Sequence, residues 1–198
     1  MLSQLRATPN LLTLLRLIFV PFAVIAVLGN HYAWALGIFI VAGITDGLDG
    51  LLARVLEQQT LLGQYLDPVA DKLLLSTMFL TLSFVHSNPV PIPWPVTVLV
   101  FFRDIVILVV CTLLYATGTL RTFRPSWMGK ANTLAQIVTV PLVMLHQILP
   151  GSIWFKYGRR AAINATVALT IISGVHYVIR LAIDLRKAGE KNSAAGVE

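Results

Sequence analysis

Apolar stretches of about the length of a membrane-spanning helix constrain the fold of this chain more than any other feature. A helix needs about 20 residues to cross about 30 Å of hydrocarbon. Six such stretches lie at about 10–29, from 31 to beyond 49, and at about 63–85, 94–117, 130–149 and 161–185. Proline-rich or polar segments at 88–95, 119–130 and 150–160 separate the later ones. The sequence therefore predicts an all-α polytopic membrane protein, a bundle of six transmembrane helices.

The composition agrees with a membrane location. The chain is 57% hydrophobic and only 12% charged, whereas a soluble domain carries about 25% charged residues. Its net charge of +6 is spread over helix ends and loops without a basic run. The charge is therefore better explained by membrane topology, anionic lipid or phosphate substrates than by nucleic acid. The single cysteine, Cys111, excludes an intrachain disulfide, and no Cys/His spacing suits zinc.

The distribution of Lys and Arg predicts the orientation. One side would hold Arg6, Arg54, Arg121, Arg124, Lys130, Arg186, Lys187 and Lys191, and the other Lys156, Arg159 and Arg160. The larger group marks the cytosolic side, so both termini and the hairpin after the second helix are expected there. This predicts an integral protein of a bacterial or organellar inner membrane. Residues 158–160 (GRR) are the exception, and they suggest a short amphipathic segment near 153–158.

The predicted domain organisation is simple. Residues 1–186 would form one membrane domain, and the polar stretch 187–198 would be a disordered cytosolic tail.

Four of the nine acidic residues lie in one stretch, 45–72, TDGLDGLLARVLEQQTLLGQYLDPVADK. A helix turns about 100° per residue. Asp49, Gly50, Ala53 and Arg54 would then all lie within about 80° of Asp46 around the second helix. Gly63, Asp67 and Asp71 follow at i, i+4 and i+8 on the third helix. Two neighbouring helices can thus direct four carboxylates to one point at the cytosolic surface.

Four carboxylates this close cannot all stay ionised without a counter-charge, especially near lipid. One or two divalent cations would supply it, and oxygen ligands without Cys or His favour Mg²⁺ or Mn²⁺. Two metal ions could support an in-line displacement at phosphorus. Helix caps with interfacial acids are a structural alternative. A cation transporter is a functional one, although its site would be expected near the membrane midplane.

This stretch resembles the motif of the CDP-alcohol phosphotransferase family, D-x-x-D-G-x-x-A-R, eight residues, G-x-x-x-D-x-x-x-D. The match includes every fixed position: Asp46, Asp49, Gly50, Ala53, Arg54, Gly63, Asp67 and Asp71. Together with the helix pattern, the resemblance covers about residues 8–185. It implies a six-helix membrane enzyme with its active site at the cytosolic side, and a homodimer formed through membrane helices.

The resemblance also implies residue roles. Asp46, Asp49, Asp67 and Asp71 would hold two divalent cations, Mg²⁺ or Mn²⁺, and Asp71 would also be the general base. Asp49, Gly50, Ala53, Arg54 and Gly63 would bind the CDP group, with Arg54 on the pyrophosphate. The donor would be CDP-diacylglycerol. A hydroxyl of the acceptor would attack the lipid-bearing phosphorus, and CMP would leave.

Two further segments, PNLLTLLRLIFVP at 9–21 and LDPVADK at 66–72, resemble the phosphatidylglycerophosphate synthase and eukaryotic-type cardiolipin synthase branches of the family. Both branches use glycerol-type acceptors. Residues 105–115 lack the additional Arg of the first branch, and Asn132 stands where that branch tends to carry Lys. These two departures slightly favour phosphatidylglycerol over glycerol-3-phosphate as the acceptor.

Arg16, Arg103 and Lys130 lie within or at the edge of apolar helices. A cation there is costly unless it is paired or hydrated, so binding of an acceptor or donor phosphate is the functional hypothesis. The structural alternatives are a pair between Arg103 and Asp104, and snorkelling of Lys130 to the headgroups.

Overall fold

The computed structural model describes the backbone of residues 8–55, 61–85, 91–116 and 127–195, and the side chains of 15–45, 72–85, 91–110, 127–179, 182 and 183. Within these ranges the regular structure is helical: α1 (Thr8–Leu28), α2 (Tyr32–Val55), α3 (Leu61–Phe84), α4 (Trp94–Ala116), α5 (Trp127–Ile148) and α6 (Ile153–Ala195). The predicted all-α class is confirmed. Cys111 and residues 1–7, 56–60 and 117–126 lie outside the described side chains or backbone.

The last helix is much longer than predicted. It begins at Ile153 instead of about 161, and it continues to Ala195, through most of the stretch assigned to a disordered tail. The prediction followed hydropathy, which falls where cations cluster, but Lys, Arg, Ala and Glu are good helix formers. The break at 150–160 is therefore confined to the short turn at 149–152. At 1.5 Å per residue α6 is about 64 Å long, about twice the thickness of the hydrocarbon core.

A tight turn joins α1 to α2. The amide of His31 donates to the carbonyl of Ala26 at 2.8 Å, and that of Asn30 to Val27 at 3.0 Å. This is the Schellman pattern, in which the residue after the helix takes a left-handed conformation. Asn30 occupies that position with φ of 60°, which asparagine tolerates better than most residues. The turn holds α1 and α2 as an antiparallel pair.

A buried apolar cluster connects α1, α2, α3 and α5. Met78, Phe79 and Leu82 of α3 lie in it with Val140, Val143 and Met144 of α5. On α1 and α2 the buried positions include the small residues Ala23, Ala35 and Ala42, all with no exposed surface. Small residues let helix backbones approach closely, which is how helices associate in membranes, where lipid is as apolar as a leucine side chain.

Hydroxyl groups join α5 to α6. Thr139 Oγ1 lies 2.8 Å from Thr166 Oγ1 and 3.2 Å from the carbonyl of Ala162. These hydroxyl groups are buried. In an apolar surrounding each gains a hydrogen-bond partner from the neighbouring helix. The hydrogen bonds set the relative register of the two helices, on which the polar contacts described below depend.

Large apolar side chains cover the outer surface of the bundle. Ile25, Phe102 and Val178 are each more than half exposed, on α1, α4 and α6. Exposed apolar surface of this extent is typical of lipid-facing helices. Among the described residues, Trp127–Ile148 and Ile153–Ile179 are long and apolar enough to cross a membrane, and shorter apolar stretches occur at Leu15–Leu28, Tyr32–Thr45 and Lys72–Phe84. The fold is that of a helical membrane protein.

Candidate functional site

The aspartate motif lies on two helices, as predicted. Asp46, Asp49, Gly50, Ala53 and Arg54 belong to the second half of α2, and Gly63, Asp67 and Asp71 to the first half of α3. The helical backbone supports the expected spacing, with each set on one face of its helix. The side chains of these eight residues lie outside the described part of the structure, so the convergence of the four carboxylates stays a prediction.

An ion pair lies directly next to the motif. Lys72 follows Asp71 in α3, and its Nζ is 2.6 Å from Oδ2 of Asp104 in α4. Arg103 Nη1 donates to the other carboxylate oxygen of Asp104 at 3.0 Å. The side chains of Arg103 and Asp104 are each 12% exposed, and that of Lys72 is 41% exposed. A carboxylate this buried needs paired charges, and Asp104 has one cation on each oxygen.

The polar contacts continue from α4 across α6 to α5. Arg103 Nη2 donates to Ser173 Oγ. One turn earlier in α6, Thr170 Oγ1 donates to Asn132 Oδ1 of α5 at 2.8 Å. Two hydrogen-bonded groups lie here side by side, and we call them together the inner polar network: Lys72, Asp104, Arg103 and Ser173 form one, and Thr170 and Asn132 form the other. The network extends from the residue after Asp71 to the first turns of α5, so four helices position it.

Three buried hydrogen-bond donors of this region have no partner among the described residues. They are Arg103 Nε, Asn132 Nδ2 and Gln136 Nε2. Gln136 lies one turn after Asn132 and is almost completely buried. Buried donors without a partner are rare, because each costs about 1–3 kcal/mol. A ligand rich in oxygen atoms, such as a phosphate or a glycerol group, would satisfy them.

The three cations singled out in the sequence lie in different environments. Arg103 makes the pair with Asp104 that was the structural alternative, and its role toward a phosphate stays a prediction. Arg16 in α1 is only 1% exposed. Lys130 is exposed on the first turn of α5, where snorkelling and phosphate binding are both possible.

The sequence alone does not reveal that Lys72 pairs with Asp104 or that α5 and α6 share buried polar groups. The available signal was that a Lys, an Arg and an Asp in apolar helices need partners. That signal does not say which helices are neighbours.

An apolar groove of about 390 Å³ lies between α4 and α6, beside the inner polar network. Phe102, Val106 and Ile107 line it from α4, and Val175 and Val178 from α6. Arg103, Thr170 and Tyr177 are the lining residues that carry polar groups. Gly174 also lines the groove, and a Cβ there would lie at an ordinary contact distance of 3.9 Å from Cγ of Arg103.

Within the described side chains, no group of three or more His, Cys, Asp or Glu residues could hold a metal ion. The predicted metal ligands all belong to the motif, whose side chains are outside that part. The four carboxylates are nevertheless a donor set that suits a hard divalent cation.

The chain is similar to known proteins over most of its length. Residues 6–175 match the family model described as CDP-alcohol phosphatidyltransferase. A protein of Mycobacterium tuberculosis (strain ATCC 25618 / H37Rv) named "Probable phosphatidylglycerophosphate synthase" is 36% identical over 184 residues, which cover 89% of this chain and 82% of the relative. A protein of Escherichia coli (strain K12) named "CDP-diacylglycerol--glycerol-3-phosphate 3-phosphatidyltransferase" is 35% identical over 182 residues, covering 89% of this chain and 96% of the relative.

Proposed function

The chain belongs to the CDP-alcohol phosphatidyltransferase family, and on this premise we propose that it transfers the phosphatidyl group of CDP-diacylglycerol to a hydroxyl of glycerol-3-phosphate. The new bond joins the acceptor oxygen to the lipid-bearing phosphorus. The bond from that phosphorus to the oxygen of CMP breaks, and the hydroxyl proton passes to a carboxylate. The main support is the complete motif on α2 and α3, together with two relatives that match along most of the chain.

The proposed acceptor is glycerol-3-phosphate, whereas the sequence slightly favoured phosphatidylglycerol. The names of the two relatives point to this smaller acceptor or its product. Glycerol-3-phosphate was disfavoured because residues 105–115 contain no Arg and Asn132 is not a Lys. The structure brings Lys72 from another helix to Asp104, beside Arg103. Two cations and the unsatisfied donors of Arg103, Asn132 and Gln136 form a region suited to a small phosphorylated alcohol.

Divalent cations fit the carboxylates of the motif. Members of this family generally depend on a divalent cation, and Asp46, Asp49, Asp67 and Asp71 would hold two ions of Mg²⁺ or Mn²⁺. When bound, the ions would neutralise the pyrophosphate and the negative charge that develops on the departing phosphate.

The protein residues have separate tasks in this proposal. Arg54 would hold the pyrophosphate, and Gly50 and Ala53 would leave room for the CDP group on the same face of α2. Asp71 would accept the proton of the attacking hydroxyl. Lys72 follows Asp71 and pairs with Asp104. The pair would therefore hold the middle of α3, where Asp71 lies, in place while Asp71 acts.

The groove between α4 and α6 would take an acyl chain of the donor. Its lining is almost entirely apolar, and Arg103 lies at its polar edge. An acyl chain in the groove would place its own glycerol-phosphate group near that edge. The reacting group could thus stay at the membrane surface while the chains remain in an apolar surrounding.

The proposed topology has six spans, with both termini and the active site on the cytosolic side. The exposed apolar side chains of the helices and the uneven distribution of Lys and Arg in the sequence support this topology. A homodimer through membrane helices, as the family resemblance implies, is part of the same proposal.

The test is a reaction with purified protein in detergent. The protein receives CDP-diacylglycerol and Mg²⁺ with either glycerol-3-phosphate or phosphatidylglycerol, and both CMP and the lipid product are measured. We expect CMP release with glycerol-3-phosphate and phosphatidylglycerophosphate as the product. Cardiolipin formed from phosphatidylglycerol would contradict the acceptor. Absence of CMP release with every acceptor, together with cation flux in liposomes, would favour the transporter.

A further inference from the structure

A cationic cluster lies far from the inner polar network, where α5 turns into α6. We call it the basic turn and define it by His146, Lys156 and Arg159. The charges of Arg159 and Lys156 both act on the imidazole of His146, so the three groups lie within electrostatic range of one another. Ser173 is 14 residues after Arg159 in the same helix, about 21 Å along its axis. The basic turn is therefore a separate place in the molecule.

Two polar atoms of the basic turn are buried without a hydrogen-bond partner among the described residues. They are Nδ1 of His146 and Nη1 of Arg159. His146 is only 8% exposed, and a neutral imidazole can carry its proton on either nitrogen. Arg159 Nη1 is always a donor, and His146 Nδ1 is one in the tautomer that carries its proton there. Since an unsatisfied buried guanidinium nitrogen is rare, Arg159 indicates a ligand with acceptor oxygens, to which that tautomer of His146 could also donate.

The chain has no acidic residue near the basic turn along the sequence, and Asp104 is the only acid among the described side chains. None of its nine acidic residues lies between Asp104 and Asp184. Asp104 is already paired with Lys72 and Arg103. Asp184 follows Arg160 by 24 residues, which corresponds to about 36 Å along α6. A partly buried cation without a counter-charge is costly, so the negative charge must come from another molecule.

The position along α6 identifies the source of that charge. Trp154 is 86% exposed and Tyr157 is also exposed, as is typical of aromatic residues at the lipid–water boundary. The apolar span of α6 is Ile153–Ile179, and its cations lie in its first eight residues, since no charged residue follows Arg160 until Arg180. The uncharged part, 161–179, is about 28 Å of helix and matches the hydrocarbon core. Arg159 therefore lies where apolar chains meet headgroups, at the depth of lipid phosphates.

We propose that the basic turn binds the phosphate group of a membrane phospholipid, at the end of the bundle away from the aspartate motif. Arg159 and His146 donate hydrogen bonds to its oxygens, and Lys156, which is exposed, contributes charge from the aqueous side. The GRR segment thus functions as a lipid contact, which explains why it departs from the charge bias of the rest of the chain.

The test measures thermal unfolding of the purified, full-length protein in detergent with four additives. These are dioctanoyl phosphatidylglycerol, dioctanoyl phosphatidylcholine, dioctanoylglycerol and inorganic phosphate. We expect the anionic phospholipid to raise the melting temperature most, phosphatidylcholine less, and dioctanoylglycerol not at all. A full shift with inorganic phosphate at the same concentration would overturn the lipid assignment, and an equal shift with dioctanoylglycerol would overturn the phosphate site.

Variants locate the effect. Lys156→Gln and Arg159→Gln should each weaken the binding of the anionic phospholipid about fivefold, whereas Arg159→Lys should retain most of it. Arg186→Gln, which removes a cation from the other end of α6, is the matched control and should bind as the wild type does. Wild-type binding by both Gln variants would overturn the proposal. Transferase activity of these variants, measured in the same detergent, should be unchanged, so this proposal and the proposed function can fail separately.

Discussion

Lys72 and Asp104 form an ion pair of 2.6 Å between α3 and α4. Lys72 immediately follows Asp71, the last aspartate of the motif, and Asp104 also binds Arg103. This single carboxylate therefore connects the motif helix to the inner polar network. Removing this carboxylate should lower both the free energy of unfolding and the transferase activity.

Asp104→Leu should lower the free energy of unfolding by about 1–3 kcal/mol, because Arg103 loses its carboxylate partner in a buried place. Asp104→Asn is the matched control. It keeps an acceptor for Arg103 and removes the charge that pairs with the half-exposed Lys72. Its free energy of unfolding should therefore fall by at most about 1 kcal/mol. Unfolding in detergent measures stability, and CMP release measures activity. Equal stability of the two variants would show that the acceptor oxygen facing Arg103 has no energetic role.

The motif aspartates should separate into ligands and base. Asp67→Asn should abolish turnover and weaken binding of Mn²⁺, because a carboxylate ligand is lost. Asp71→Asn should also stop turnover but retain part of the Mn²⁺ binding. Glu57→Gln, an acid between the two halves of the motif, is the control and should remain active. Calorimetric titration with Mn²⁺ and CMP release report the two properties. Turnover near the wild-type level in Asp67→Asn would mean that the proposed metal geometry is wrong.

Local sequence patterns predicted most of the helices, but they could not predict which helices pack against each other. Apolar stretches and proline-rich breaks located α1, α3, α4 and α5 to within about three residues at both ends. For α2 they located the start to within one residue, but its end was predicted only as beyond Asp49, and it lies at Val55. Hydropathy failed at residues 153–160, since membrane-boundary cations lower hydropathy without disfavouring a helix.

The candidate site divides in the same way. The motif spacing placed eight residues on two helix faces, because helical rotation is a local property. The contact of Thr170 with Asn132 depends instead on how α5 and α6 pack. No periodicity in either helix encodes that contact.

Gln136 should reveal whether the buried amides bind the acceptor. Gln136→Met keeps the size of the side chain and removes the donor Nε2, which has no partner among the described residues. If that donor binds glycerol-3-phosphate, KM for this substrate should rise about tenfold, as for the loss of one hydrogen bond to a charged group, with KM for CDP-diacylglycerol unchanged. If it has only a structural role, both KM values should be unchanged. Steady-state kinetics with each substrate varied in turn distinguishes the outcomes.

Gly174 should control access of acyl chains to the groove between α4 and α6. Gly174→Ala adds a Cβ at an ordinary contact distance of 3.9 Å from Arg103, so this control should be nearly as active as the wild type. Gly174→Leu places further carbon atoms into the apolar space beside Val175 and Phe102.

If an acyl chain of the donor lies in the groove, Gly174→Leu should raise KM for long-chain CDP-diacylglycerol more than for the dioctanoyl form. A shorter chain fills less of the groove and loses fewer contacts, each buried CH₂ being worth about 0.8 kcal/mol. Comparing kcat/KM for the two donors in the three proteins measures this difference. An equal loss with both donors would indicate that the leucine disturbs Arg103 instead. A groove that holds no donor chain predicts no loss with either.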